Sequence, residues 1–202
     1  TKKIGSKLIL DVTQAAGVLD IKAVDYAADV LVCSGYKWLG GHGGVGLAVL
    51  SKETLKEDPI LTGWMGTDSP FDLQPEKLLY ANDARKFTQS TMSYISIKGL
   101  ETSIKEIINL DIQKINDHSD KLAKILSSGL IGSKWRTYRS LNDKSASSHI
   151  VSLQSSSENI DHTLQKLKIA KIVCGTRNNR LRISIAHFNN EADINSLINA
   201  LS

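Results

Sequence analysis

The chain has 202 residues, with 25 basic and 21 acidic side chains, a formal net charge of +4, 41% hydrophobic and 5% aromatic content. That composition describes a folded globular protein with enough chain for one large or two small domains; it excludes a disordered chain, and no apolar run reaches the roughly 18 residues a membrane-spanning helix needs. The positive surplus is scattered rather than gathered into a basic stripe with interleaved aromatics, so neither nucleic acid nor a membrane is an expected partner. The opening residues, Thr1 to Lys7, lead into only a short apolar run before Asp11, which is not the pattern of a secretory signal. Cys33 and Cys174 lie far apart in apolar β-like runs, with no CxxC pair and no metal-ligand spacing. Reduced thiols in a cytoplasmic protein, and no bound metal, are therefore expected.

In chain order, residues 7–10 read as a short, fully buried strand that stops at Asp11. Residues 13–24 form a short helix or an irregular crossover, and residues 29–33 a second buried strand. The chain between them is long for a hairpin, which predicts a parallel pair. Ser34-Gly35-Tyr36-Lys37-Trp38 and a glycine-rich turn follow, then a third strand at 47–50. Residues 58–92 read as loop and hold Pro59, Pro70 and Pro75 together with Gly63-Trp64-Met65-Gly66. Ile97, Leu100, Ile104, Ile107, Ile108, Ile112 and Ile115 then recur at helical spacing, predicting one long helix that continues to Leu126 and ends at Ser127-Ser128-Gly129. Beyond it come strands at 135–139, 149–153, 172–174 and 181–185, with helices at 159–167 and 191–201, the last capped by Asn190. The expected class is α/β: the end of a parallel-sheet domain over residues 1–92, then a linking helix and a small α+β domain over 93–202.

Asp11 and Lys37 each fall just past the C-terminal end of a predicted parallel strand, where open α/β sheets bind ligands. The plainer alternative is a structural ion pair or two unrelated loop residues. Gly41, Gly43 and Gly46 satisfy GxGxxG, but the residues after them look like a strand, and a dinucleotide site needs a helix N-terminus there. The glycines are better read as a turn that lets backbone approach closely beside Lys37.

Asp11-Val12-Thr13-Gln14-Ala15-Ala16-Gly17, then Ser34-Gly35-Tyr36-Lys37-Trp38-Leu39-Gly40-Gly41, together resemble the class V aminotransferase family of pyridoxal-phosphate enzymes. That group also holds cysteine desulfurases, kynureninases and isopenicillin epimerase-like proteins. Arg85-Lys86-Phe87 with Ser90-Thr91, and Arg182-Ile183-Ser184 with His187-Phe188-Asn189, are similar to later motifs of the family in the same order. The resemblance implies the end of the large domain of a fold-type I pyridoxal-phosphate enzyme plus its small C-terminal domain. It also implies a cytoplasmic homodimer with shared sites, acting on an amino acid or amine.

By that resemblance Lys37 forms the internal Schiff base with pyridoxal 5′-phosphate and then shuttles the proton. Asp11 pairs with the pyridinium nitrogen, Gln14 hydrogen-bonds the phenolic oxygen, and Ser34 donates to the phosphate. Thr91 does the same from the partner subunit, and Tyr36 belongs to the cofactor-binding set. Arg182 clamps the substrate carboxylate through two parallel hydrogen bonds. Each has a structural alternative: a helix cap for Gln14, an ordinary turn residue for Ser34, the solvent face of an edge strand for Arg182. Thr91 follows Ser90 where the family has glycine. His42 and His187 read as surface or turn residues, and Trp64 and Met65 as packing near the site mouth. Tyr36 stands where many members have histidine, as in the kynureninase branch, and Cys174 leads directly towards Arg182 without a long loop. Both features count against cysteine desulfurase activity. The resemblance covers the C-terminal half of a family member, so the chain is expected to be part of a longer protein, and by itself to bind cofactor weakly or not at all. A non-catalytic member that keeps the fold for partner contacts is the alternative from another functional class.

Overall fold

The computed structural model describes residues 2–72 and 76–202, so Pro75 of the expected loop lies outside the described residues. The contacts divide the chain into two compact units, Thr1–Asn109 and Leu110–Ser202.

In the first unit, β1 (Ile9–Asp11) and β2 (Val30–Ser34) pair in parallel, with Asp11 opposite Val32. The connection between them is irregular. Ala15 and Ala16 both donate to the Val12 carbonyl at 2.8 Å, and a 3₁₀ turn follows at Ala23–Tyr26. The return from β2 is short and glycine-rich, so β3 (Gly46–Leu50) comes back antiparallel to β2, with Ser34 opposite Gly46. The sheet order is β1-β2-β3.

The first strand, expected to be fully buried, is not. Leu31 and Cys33 on β2 are buried, but Ile9 is 65% exposed and Val49 50%. Parallel strands become apolar on both sides when helices cover both faces; here the described residues of this unit place one α-helix, α1 (Tyr94–Leu110), with the sheet. Its Leu100 packs on the turn after β2. A Cβ at Gly41 would lie 2.8 Å from Leu100 Cδ1, and the Ser103 hydroxyl donates to the Gly40 carbonyl at 2.9 Å. These contacts group α1 with the sheet, so the contact division falls after Asn109 rather than after residue 92.

The expected single long helix is two. α1 stops at Leu110, Asp111 adopts φ 71°, and its carboxylate accepts from Gln113 N at 2.9 Å to cap α2 (Ile112–Gly129). The apolar rhythm runs through the break because both helices are amphipathic, while a short acidic side chain that bonds its own backbone starts a helix better than it continues one. Ile108, expected on the buried stripe, is 69% exposed.

The second unit is α+β. Strands β4 (Arg136–Thr137), β5 (Ile150–Gln154), β6 (Gly175–Arg177) and β7 (Arg180–Ser184) form a wholly antiparallel sheet in the order β4-β5-β7-β6. Helices α2, α3 (Ile160–Ile169) and α4 (Glu191–Leu201) share one core with it, centred on Leu122, Leu126, Trp135, Leu153, Leu167 and Leu181. Asn159 and Asn190 cap α3 and α4, the latter in a reciprocal capping box with Asp193. The strand expected at 172–174 lies instead at Gly175–Arg177. Asn178 and Asn179, at φ 47° and 57°, close a two-residue hairpin there, and asparagine is among the few residues that tolerate both positions. Cys174 therefore precedes a strand rather than ending one.

Candidate active site

The two parallel strands β1 and β2 end side by side, and the candidate site lies at those ends. Asp11 closes β1 and Ser34 closes β2, so Ser34 is the last strand residue rather than part of the turn. An open cleft of about 450 Å³ is lined there by Asp11, Thr13, Cys33, Ser34, Tyr36 and the turn around Gly44 and Gly46. The loop after Asp11 and the turn that carries Lys37 are in backbone contact. Gly17 sits at φ 95°, and a Cβ on it would lie 2.5 Å from the Trp38 carbonyl oxygen. Only glycine meets both demands.

The Asp11 carboxylate accepts from Thr13 N at 2.9 Å. Hydrogen bonds from the Thr13 hydroxyl and then its backbone N–H hold this carboxyl below its ordinary value of 3.8; the Lys37 charge adds to them and partial burial opposes. With the folded value depressed, any stability the ionised form contributes is complete above the unfolded value and lost only as pH falls through the folded one. Asp11 is thus an anion at neutral pH. Lys37 is exposed, its amine 5.7 Å from the centroid of the Tyr36 ring. Burial, and next the charge of Asp11, push the Cys33 thiol up, so this cleft-lining sulfur is a neutral thiol rather than a nucleophile.

Gln14 is exposed and accepts from the Trp38 indole N–H at 3.1 Å, which commits its oxygen and orients the amide with NH₂ as the donating end. The turn after β2 is closed by Gly40 N donating to the Lys37 carbonyl at 2.9 Å and Gly41 N to the Gly35 carbonyl at 2.8 Å. The glycine run ends in β3, so no helix N-terminus follows it. Thr91 is exposed in the loop before α1 and is not among the residues lining the cleft.

Arg182 stands in the second unit, half-buried on β7, paired with Ser152 on β5 and Gly175 on β6. It lies in the interior of the sheet, not on an edge strand. His42 is exposed, and His187 meets the Phe188 ring edge-on at 5.3 Å. Met65 is buried and Trp64 packs edge-on against Phe71 at 5.7 Å, beside a cavity of about 530 Å³ that shares no residue with the cleft at the strand ends. The site residue that sequence reasoning passed over is Thr13, only 6% exposed. The available signal was a threonine two residues after an aspartate, the spacing at which a carboxylate turns back on its own backbone.

The fold is that of about half of a fold-type I pyridoxal-phosphate enzyme. It superposes on the apo cysteine desulfurase of Thermococcus onnurineus NA1 with a TM-score of 0.84 at 20% identity, covering 98% of this chain and 52% of that one. The class-V aminotransferase family model matches residues 1–197, and the chain belongs to that family. Pyridoxal 5′-phosphate is the family's cofactor. Among curated relatives, the uncharacterized aminotransferase YcbU of Bacillus subtilis (strain 168) is 24% identical over 207 residues, covering 100% of this chain and 52% of that protein. A probable cysteine desulfurase of Pyrococcus abyssi is 30% identical over 131 residues, 64% of this chain and 32% of that one. The chain spans about half the length of the first of these relatives, and less of the second.

Proposed function

We propose that this chain carries the cofactor-linking lysine and the ring-facing carboxylate of a pyridoxal 5′-phosphate enzyme that acts on an amino acid or amine, by transamination or a related bond cleavage at Cα or Cβ. The observation that carries this reading is the convergence of ionised Asp11, Thr13 and Ser34 on one cleft at the ends of two parallel strands, with the charge of Lys37 felt at Asp11. The residues fit the cofactor. The cleft falls within the roughly 300–1,000 Å³ typical of small-molecule sites, and it offers an anion for a protonated ring nitrogen and a hydroxyl for a phosphate.

When bound, pyridoxal phosphate supplies an electron sink for charge developing at the substrate Cα. Asp11 stays anionic and holds the ring nitrogen protonated. Gln14 donates its amide N–H to the phenolic oxygen, and Ser34 donates to the phosphate, with Tyr36 lining the same cleft. Lys37 would hold the cofactor through its amine and, once the substrate amine has displaced it, would be free to take and return the Cα proton. Arg182 clamps the substrate carboxylate with its two-pronged guanidinium.

The same reading makes the protein a homodimer in which a second copy contributes Thr91. Ile60, Leu61, Phe71 and Ile95 support it: they are 99%, 72%, 79% and 81% exposed in the stretch leading to α1, more apolar surface than an isolated chain usually leaves to water. Sedimentation is expected to show a dimer, and Ile60→Asp with Ile95→Asp to shift it towards monomer; an unchanged mass would remove this part of the reading. Free Cys33 and Cys174 fit a cytoplasmic location.

Desulfurase chemistry is not favoured. Burial raises the Cys174 thiol above its usual value, whereas a sulfur-accepting cysteine needs thiolate and access. The test of the proposal is equilibrium dialysis of the protein against pyridoxal 5′-phosphate, followed by turnover over an amino-acid panel. Saturable binding with turnover supports it, saturable binding without turnover favours the non-catalytic member, and cofactor fixed by borohydride on lysines other than Lys37 removes both.

A further inference from the structure

Thr13 lies two residues past the Asp11–Val32 pair, where a continued register would set it opposite Ser34. Val12 N still donates to the Val32 carbonyl at 2.9 Å, continuing the ladder one residue past β1. At Thr13 the ladder changes character. The Ser34 backbone N–H, which a continuing strand would satisfy with a carbonyl, donates instead to Thr13 Oγ1 at 2.9 Å. Freed from the ladder, the Thr13 backbone turns and gives its own N–H to Asp11 Oδ1 at 2.9 Å. A hydroxyl has one proton and two lone pairs. One lone pair takes the Ser34 N–H, which leaves the proton to donate, and the Thr13 side chain is among the influences that lower the Asp11 carboxyl. The side chain doing this is nine-tenths buried beneath the cleft, with little room to turn away.

We propose that Thr13 is a positioning residue of this site: its backbone N–H donates to the Asp11 carboxylate and its hydroxyl accepts from the Ser34 backbone, and together these set the spacing between the carboxylate on one strand end and the turn that presents Lys37 from the next. This assignment deepens the reading of Asp11 and Lys37 as the cofactor-facing pair and rests on it. Serine keeps the hydroxyl that accepts from Ser34. Valine, of nearly the same shape, keeps only the backbone N–H donated to Asp11 and leaves the buried Ser34 N–H without an acceptor.

The experiment compares Thr13→Val and Thr13→Ser with the parent protein, first without cofactor. Three quantities are read: the Asp11 carboxyl titration by ¹³C NMR, the hydrogen exchange of the Ser34 amide, and the melting temperature. Thr13→Val is expected to move the Asp11 midpoint upward and to accelerate Ser34 exchange, and Thr13→Ser to restore both. With pyridoxal 5′-phosphate added, Thr13→Val is expected to bind about tenfold more weakly, as for loss of one hydrogen bond to a charged group, and Thr13→Ser to recover that affinity. A lowered melting temperature with an unmoved Asp11 midpoint would show a purely structural threonine and overturn the proposal, as would failure of serine to rescue. Thr13→Ala gives the same readouts should the valine variant not fold. Titration and exchange need no cofactor, so they decide whether Thr13 holds Asp11 independently of the functional reading.

Discussion

Lys37→Ala is expected to abolish covalent capture of pyridoxal phosphate. In the parent protein, incubation with the cofactor and reduction with borohydride should leave a mass gain concentrated on the peptide that contains Lys37. In the variant that gain should vanish, with the far-ultraviolet circular dichroism unchanged. The two halves of the expectation have separate causes. Lys37 is exposed, so truncating it opens no cavity and the fold should survive. Capture should be selective because an aldehyde reacts with any accessible amine, yet this amine is borne by the residue after cleft-lining Tyr36 and its charge is felt at the Asp11 carboxylate. Other exposed lysines, such as Lys22 beside Asp20 and Lys56 beside Glu53, have salt-bridge partners at 3.0 and 2.8 Å and do not adjoin a cleft-lining residue in the chain. They serve as internal controls. A gain spread evenly over all lysines, or one that persists in Lys37→Ala, would mean that position 37 is an ordinary surface residue.

The largest effect on stability is expected from Leu181→Ala. Leu181 is fully buried in the interior strand β7, in the core shared by β5, α2, α3 and α4. Removing its branched end loses the transfer free energy of the buried carbons and leaves a void that the sheet cannot close, a cost of about 2–5 kcal/mol. In a unit of this size, that corresponds to a melting temperature lowered by roughly 10 °C or more. The matched control is Ile131→Ala: Ile131 is 83% exposed, and its truncation should change stability by less than about 0.5 kcal/mol. Equal melting of the two variants would show that the second unit's core does not limit its stability.

The amino-acid sequence by itself determined the parallel pairing of the first two strands, through the length of chain between them, and the placing of Asp11 and Lys37 near adjacent strand ends. It also determined the capping of α4 by Asn190, because a side-chain cap depends only on its immediate neighbours. The ordered motifs carried the family, since they depend on residue type and order rather than on packing. Only the tertiary structure decided the rest. The helix break at Asp111 is invisible to periodicity, because two amphipathic helices in series keep the same apolar rhythm. The true position of β6 depends on a hairpin closed by Asn178 and Asn179 at positive φ. The exposure of Ile9 and Val49 depends on what lies over the sheet, and an apolar run in a strand does not report whether anything covers it. The part played by Thr13 depends on register: which backbone N–H its hydroxyl meets is settled when two strands distant in sequence align, and no local pattern encodes that alignment.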